Sequence, residues 1–127
     1  MSRVRLTCTA LAPAMTLAAC QSVPKQPPQH TIVHVVLVDV AEDLEIPAMR
    51  ADSDRLLPTI PQVRHYVCGS PVDIGRANVS KDYDLGIIVE FDSVEDYKAY
   101  LAHPVHQQLV QTWRPKWKRS YIVDFAP

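Results

Sequence analysis

At 127 residues, with 47% hydrophobic and 21% charged side chains, the chain has the length of one domain and a globular composition. Its 13 Lys+Arg against 14 Asp+Glu leave a net charge of -1. Outside Arg114, Lys116, Lys118 and Arg119 no basic cluster occurs, which excludes the electropositive footprint of a nucleic-acid-binding protein.

Residues 1–20 open with Arg3 and Arg5, continue through the apolar, small-residue stretch Leu6 to Ala19, and contain no acid. This is the layout of an export signal, too short to span a bilayer stably. Its end, Leu17-Ala18-Ala19-Cys20, resembles the lipobox of bacterial lipoproteins. That resemblance implies cleavage after residue 19, acylation of Cys20 and attachment to the cell envelope. Two or three acyl chains hold a protein on a membrane surface where one does not. Gln21 in place of an aspartate implies the periplasmic side of the outer membrane. Cleavage takes two arginines and no acid, so Lys+Arg falls from 13 to 11 against 14 acids and the net charge becomes -3.

With Cys8 in the signal and Cys20 carrying lipid, Cys68 has no partner for an internal disulfide, and its apolar strand-like setting suits an inert thiol. Residues 20–30, with Pro24, Pro27 and Pro28 among polar neighbours, form an extended tether, and the folded domain is expected over 31–127.

The β-branched run Ile32 to Val40 predicts a strand covered on both faces. Ala41 to Leu57 predicts an amphipathic helix with Leu44, Met49, Leu56 and Leu57 on its apolar side, Pro47 in its first turn and Pro58 ending it. Val63 to Gly69 predicts a second strand and Ser70 to Asp82 a long polar loop. Tyr83 to Phe91 alternates, with Tyr83, Leu85, Ile87, Val89 and Phe91 on one face. Ser93 is placed to cap a helix carrying Tyr97 and Tyr100, which Pro104 interrupts after Ala102 or His103; a further helical segment runs to Trp113. A last strand, Tyr121 to Phe125, completes the order βαββαβ.

That order predicts a four-stranded antiparallel sheet with its helices on one face, an α+β sandwich. A domain of roughly 95 residues buries only about two-thirds of its unfolded surface. The opposite, apolar sheet face therefore favours a homodimer.

The segments His34-Val35-Val36-Leu37, Tyr83-Asp84-Leu85, Val89-Glu90-Phe91, Tyr100-Leu101-Ala102-His103-Pro104-Val105-His106 and Val123-Asp124-Phe125 resemble the stress-responsive dimeric α/β-barrel (Dabb) family over residues 32 to 125. The resemblance implies a ferredoxin-like protomer whose sheet pairs with a second copy in a dimeric barrel. Plant polyketide cyclases of olivetolic-acid type are similar to this family and use a tyrosine and a histidine of the same segment, without a cofactor. Tyr100 matches that tyrosine and His106 that histidine, and His34 falls at a pocket histidine. A further histidine, at the start of their third strand, is Leu85 here.

The resemblance thus makes Tyr100 and His106 candidate catalytic residues, with His34, His103, Tyr97 and Trp113 as pocket residues and no cofactor. An imidazole with an ordinary pKa of about 6.5 suits a general base, and a phenol can donate to a developing enolate oxygen. The same residues also suit a structural part: His103 as a helix cap, Tyr100 as a packed aromatic, His106 as a solvated side chain. His103 and His106 share a helix face but have no acidic or cysteine partner nearby, and no metal site is expected. Two functions stay open: binding of a small apolar or aromatic molecule, with or without proton transfer, and a non-catalytic interaction lipoprotein. A closed cavity lined by His34, Tyr100 and His106 discriminates in favour of the first. Cofactor-free oxidation, known on the same topology, is a third class resting on fold analogy alone.

Overall fold

A computed structural model describes residues 31–127. The stretches read from the sequence as an export signal and a tether, with Cys20, lie outside the described residues. The chain folds as β1 (Ile32–Val40), α1 (Ile46–Leu56), β2 (His65–Gly69), β3 (Leu85–Phe91), α2 (Val94–Ala102), α3 (Pro104–Trp113) and β4 (Trp117–Phe125), with 3-10 turns at Asp43–Glu45, Leu57–Thr59 and Arg114–Lys116. The four strands form one antiparallel sheet in the order β2-β3-β1-β4, and the three helices pack on one face, a ferredoxin-like α+β fold. No helix among the described residues is long and apolar enough to cross a membrane.

Strand parity decides what each face carries. On β3, Leu85, Ile87, Val89 and Phe91 are buried beneath the helices, as the alternation predicts. On β1, His34, Val36, Val38 and Val40 share that side, paired with Val89, Ile87 and Leu85 across the sheet. The core they build with Met49, Leu57, Ile60, Tyr100, Leu109 and Trp113 is the platform for the site.

Local capping explains the helix boundaries. Ser93 Oγ accepts from the Asp96 amide at 3.0 Å and donates to its carboxylate at 2.7 Å, which starts α2. His103 is extended (φ -67°, ψ 133°), so the chain leaves α2 and re-enters α3 with Pro104 in its first turn.

Three predicted boundaries are corrected. The first helix begins at Ile46, not Ala41, because Ala41 still donates to the Lys116 carbonyl at 2.9 Å and stays with the sheet. Leu44 therefore sits in a 3-10 turn, 95% exposed, and not on the helix's apolar side. β2 starts at His65, since Val63 closes a turn onto the Ile60 carbonyl. β4 starts at Trp117, four residues before the predicted position. Its polar Lys118-Arg119-Ser120 run hides an edge strand whose two cations reach Asp39 on β1.

Candidate functional site

The site grows from one cross-strand pair. His34 on β1 stands opposite Asp124 on β4, both on the helix side. Its Nδ1 lies 2.6 Å from Asp124 Oδ1. Tyr97, from the buried-facing side of α2, donates its hydroxyl to Asp124 Oδ2 at 3.1 Å, and that hydroxyl is 2.9 Å from His34 Nδ1. A carboxylate only accepts, so the neutral imidazole carries its proton on Nδ1 and leaves Nε2 with a lone pair. His34 is 5% exposed, so this polar pair sits at the core's edge, satisfied.

The second half of the site comes from the break between α2 and α3. Tyr100 precedes it and His106 follows it, and the rings meet with centroids 4.4 Å apart. His106 Nδ1 lies 3.2 Å from the Leu101 carbonyl, an acceptor, so His106 also presents an unprotonated Nε2. Among the described residues neither Nε2 nor the Tyr100 hydroxyl has a hydrogen-bond partner. Phe91 supports both tyrosines from the sheet, with ring centroids 5.0 Å from Tyr97 and 4.8 Å from Tyr100. Trp113 closes the far wall; its Nε1 donates to Asp52 on α1 at 3.1 Å, which fixes the indole.

Burial tunes these groups. It pushes the Tyr100 hydroxyl well above the usual phenol range, so Tyr100 remains a neutral donor. The Tyr97 hydroxyl is pushed up to about 12, first by burial and then by its bond to Asp124. Burial also lowers the His106 imidazole below its ordinary value, with the Leu101 carbonyl opposing. The folded protein then holds fewer protons at His106 than the unfolded chain does. This contribution to stability is complete above about pH 6.5 and is lost as pH falls from there through the lowered value. His106→Gln should flatten that acid-side decline, read as a smaller drop in urea midpoint between about pH 7.5 and about pH 5 than in the wild type.

Two adjoining spaces touch these groups. An inner cavity of about 50 Å³ is lined by His34, Tyr100, His106, Trp113 and Trp117 over a floor of core residues. An outer cleft of about 290 Å³ is lined by His34, Tyr97, His106, Arg114, Ser120 and Ile122, among others. His34, Val36, His106, Val110 and Trp117 belong to both and form the partition. A larger depression of about 340 Å³ lies on the other side of the sheet, between Leu37, Tyr121 and the loop at Ser80 to Tyr83. Of its three charged residues, Asp39 and Arg119 are paired with each other and Arg119 also donates to the Asp82 carbonyl, and its lining contains no imidazole.

The predicted site residues His34, Tyr97, Tyr100, His106 and Trp113 are therefore brought together. His103 is not; its Nδ1 accepts from the Val105 amide at 3.3 Å and caps α3, and it lines neither space. His65 stands on the opposite sheet face, 3.6 Å from Glu90. Cys68 is half-buried with its thiol pKa raised by burial, the setting of an unreactive thiol. Leu85 is fully buried in the apolar core. Among the described residues no group of three or more His, Cys, Asp or Glu side chains could hold a metal.

Sequence reasoning missed Asp124 and Arg114. Asp124 had a readable signal: Tyr121, Val123 and Phe125 form an apolar alternate set, which sends Asp124 to the other face, where β1 carries His34.

The chain is similar to curated and solved proteins in this same region. It is 29% identical over 72 residues to olivetolic acid cyclase of Cannabis sativa, covering 57% of this chain and 69% of that protein. A Dabb-family protein with a ferredoxin-like fold from Mesorhizobium loti matches with a TM-score of 0.67 at 25% identity, over 78% of this chain and 98% of that one. A dimeric ferredoxin-like protein of unknown function from Thermobifida fusca matches with a TM-score of 0.65 at 23% identity, over 80% and 95% of the two chains. The family model of the stress-responsive A/B barrel domain matches residues 31–127, all of the described fold, and the chain belongs to the Dabb family.

Proposed function

We propose that this protein binds a small apolar or aromatic molecule between sheet and helices and moves a proton on it without a cofactor. One observation carries the reading: His34, Tyr100 and His106, from three different elements, line a single cavity with both Nε2 atoms unprotonated and the phenol neutral. Either imidazole can take a proton, and the Tyr100 hydroxyl can donate to the oxygen on which charge develops. The cyclase relative of Cannabis supports chemistry of this class, in its name an acid-forming cyclisation. Trp113 and Trp117, the two tryptophans of the chain, both line the inner cavity, so their emission reports occupancy. Titration with alkylphenols should change it saturably, and Tyr100→Phe should weaken binding about threefold to tenfold by removing one hydrogen bond. A panel of such ligands that leaves the emission untouched would overturn the reading.

The active form in this proposal is a homodimer closed over the free sheet face. That face carries Val67, Tyr121, Val123 and Phe125, all more than a third exposed, beside Val35 and Leu37. The Thermobifida relative, named as dimeric, is consistent with this. Val35→Asp, between Ile88 and Val123, should convert the dimer to a monomer in size-exclusion chromatography with light scattering; an unchanged mass contradicts the dimer. The Leu17-Ala18-Ala19-Cys20 sequence further supports a lipid anchor holding the dimer on the periplasmic side of the outer membrane. Cys20→Ser should then move the protein from the membrane to the soluble fraction.

A further inference from the structure

The wall between the inner cavity and the outer cleft consists of residues that line both: His34, Val36, His106, Val110 and Trp117. Four of these are pinned or short. His34 is held by Asp124 and Tyr97, and His106 by the Leu101 carbonyl and the ring of Tyr100. Val36 and Val110 carry small, stiff side chains on a central strand and on α3. Trp117 differs from all of them. It opens the edge strand β4 directly after the 3-10 turn at Arg114–Lys116, where a register slip between Asp39 and Val40 sets it opposite Val40, on the helix side.

The two indoles of the inner cavity are held differently. Trp113 is 4% exposed, and its Nε1 is tied to Asp52. The Trp117 Nε1 is buried and finds no acceptor among the described residues. A buried N–H without a partner raises the free energy of the conformation that buries it. Turning the indole outward relieves that cost, because the outer cleft of about 290 Å³ lies beside it and reaches solvent past the half-exposed Ile122.

Size makes such a movement necessary. The inner cavity measures about 50 Å³. A cavity that takes one benzene ring is on the order of 150 Å³. Tyr100 lines the inner cavity and not the outer cleft, so an aromatic molecule does not reach its hydroxyl while the wall stands.

We infer that Trp117 is a gate: its indole swings outward to join the two spaces and admits an aromatic ligand from the outer cleft to Tyr100. The inference rests on the pocket reading above and adds the step by which the ligand enters. In the ligand-free protein the indole closes the wall with its N–H unsatisfied. In the complex the ligand ring takes the space that the indole leaves, and Nε1 faces solvent.

The test uses the purified full chain labelled with 5-fluorotryptophan, with 4-hexylphenol as the probe and calorimetry to establish binding. Trp117→Phe assigns the two fluorine resonances. On binding, the Trp117 resonance should acquire the sensitivity to D2O of an exposed indole, while that of Trp113 stays shielded. Trp117→Ala should raise the association rate of the probe about tenfold, since entry no longer waits on the swing. Trp117→Leu takes its place if the alanine variant does not fold. A complex in which Trp117 stays as shielded as in the free protein, or an association rate that truncation leaves unchanged, overturns the gate and leaves the pocket standing. No binding of the probe to the wild type refutes both.

Discussion

Phe91→Ala should lose about 3–5 kcal/mol of stability, the cost of emptying a fully buried phenylalanine site. Phe91 is completely inaccessible at the end of β3, and its ring is the common support of Tyr97 and Tyr100. A small domain has roughly 5–15 kcal/mol in total, so the variant stands near the edge of folding. The loss should also reach the site. Without the ring, Tyr100 loses the surface that holds it against His106, and the near-ultraviolet signal of the tyrosines should weaken together with ligand binding. Phe91→Leu, which keeps most of the volume, should retain the fold and separate the two effects. Urea denaturation measures both variants; a loss below about 1.5 kcal/mol for Phe91→Ala would mean that the cavity relaxes shut and that Phe91 is not the tyrosines' support.

Asp124→Asn should spare stability and damage the chemistry. The Asp124 side chain is 44% exposed, so the pair with His34 is partly screened and its removal should cost about 1 kcal/mol or less. The positional effect is larger. An asparagine can turn its NH2 toward Nδ1, which forces the His34 proton onto Nε2 and removes the lone pair from the cavity. Proton transfer through His34 should fall by about 10²–10⁴-fold, the usual contribution of a positioned acid or base. Nitrogen shifts of the imidazole identify the tautomer directly. A variant whose His34 keeps its proton on Nδ1, with turnover unchanged, would show that Asp124 does not orient the base.

Much of the fold was legible because local chemistry and global topology agree. β1 reads as a largely β-branched, almost wholly apolar run and β3 as an alternation, and both lie in the middle of the sheet where burial enforces those patterns. Ser93 and Pro104 mark helix starts through bonds that reach no further than three residues. Where the sequence misleads, a distant partner decides. Ala41 looks helical but is held by Lys116, and Lys118-Arg119-Ser120 looks like a loop but pairs with β1 because Asp39 lies opposite to receive the charges. The site divides in the same way. Tyr100, His103 and His106 come from one contiguous motif, of which His103 is spent on the Val105 amide and lines neither space. Asp124, 90 residues from His34 in sequence, becomes visible only when the register between β1 and β4 is known.

Placing a core histidine beside a carboxylate at a sheet edge costs little stability here because His34 Nδ1, the Tyr97 hydroxyl and both Asp124 oxygens are bonded to one another, while among the described residues His34 Nε2, His106 Nε2 and the Tyr100 hydroxyl have no partner. That asymmetry is the reason to regard the cluster as a site and not as a structural network. The most direct test is a proton titration of His34 and His106 by NMR, with and without an alkylphenol or aromatic acid. The pocket account predicts Nδ1-protonated tautomers for both rings, a lowered His106 midpoint, and a ligand-dependent change at both Nε2 atoms that Tyr100→Phe diminishes. Two histidines that titrate like free imidazoles and ignore every ligand would contradict it, and the function would then have to be sought on the sheet face opposite.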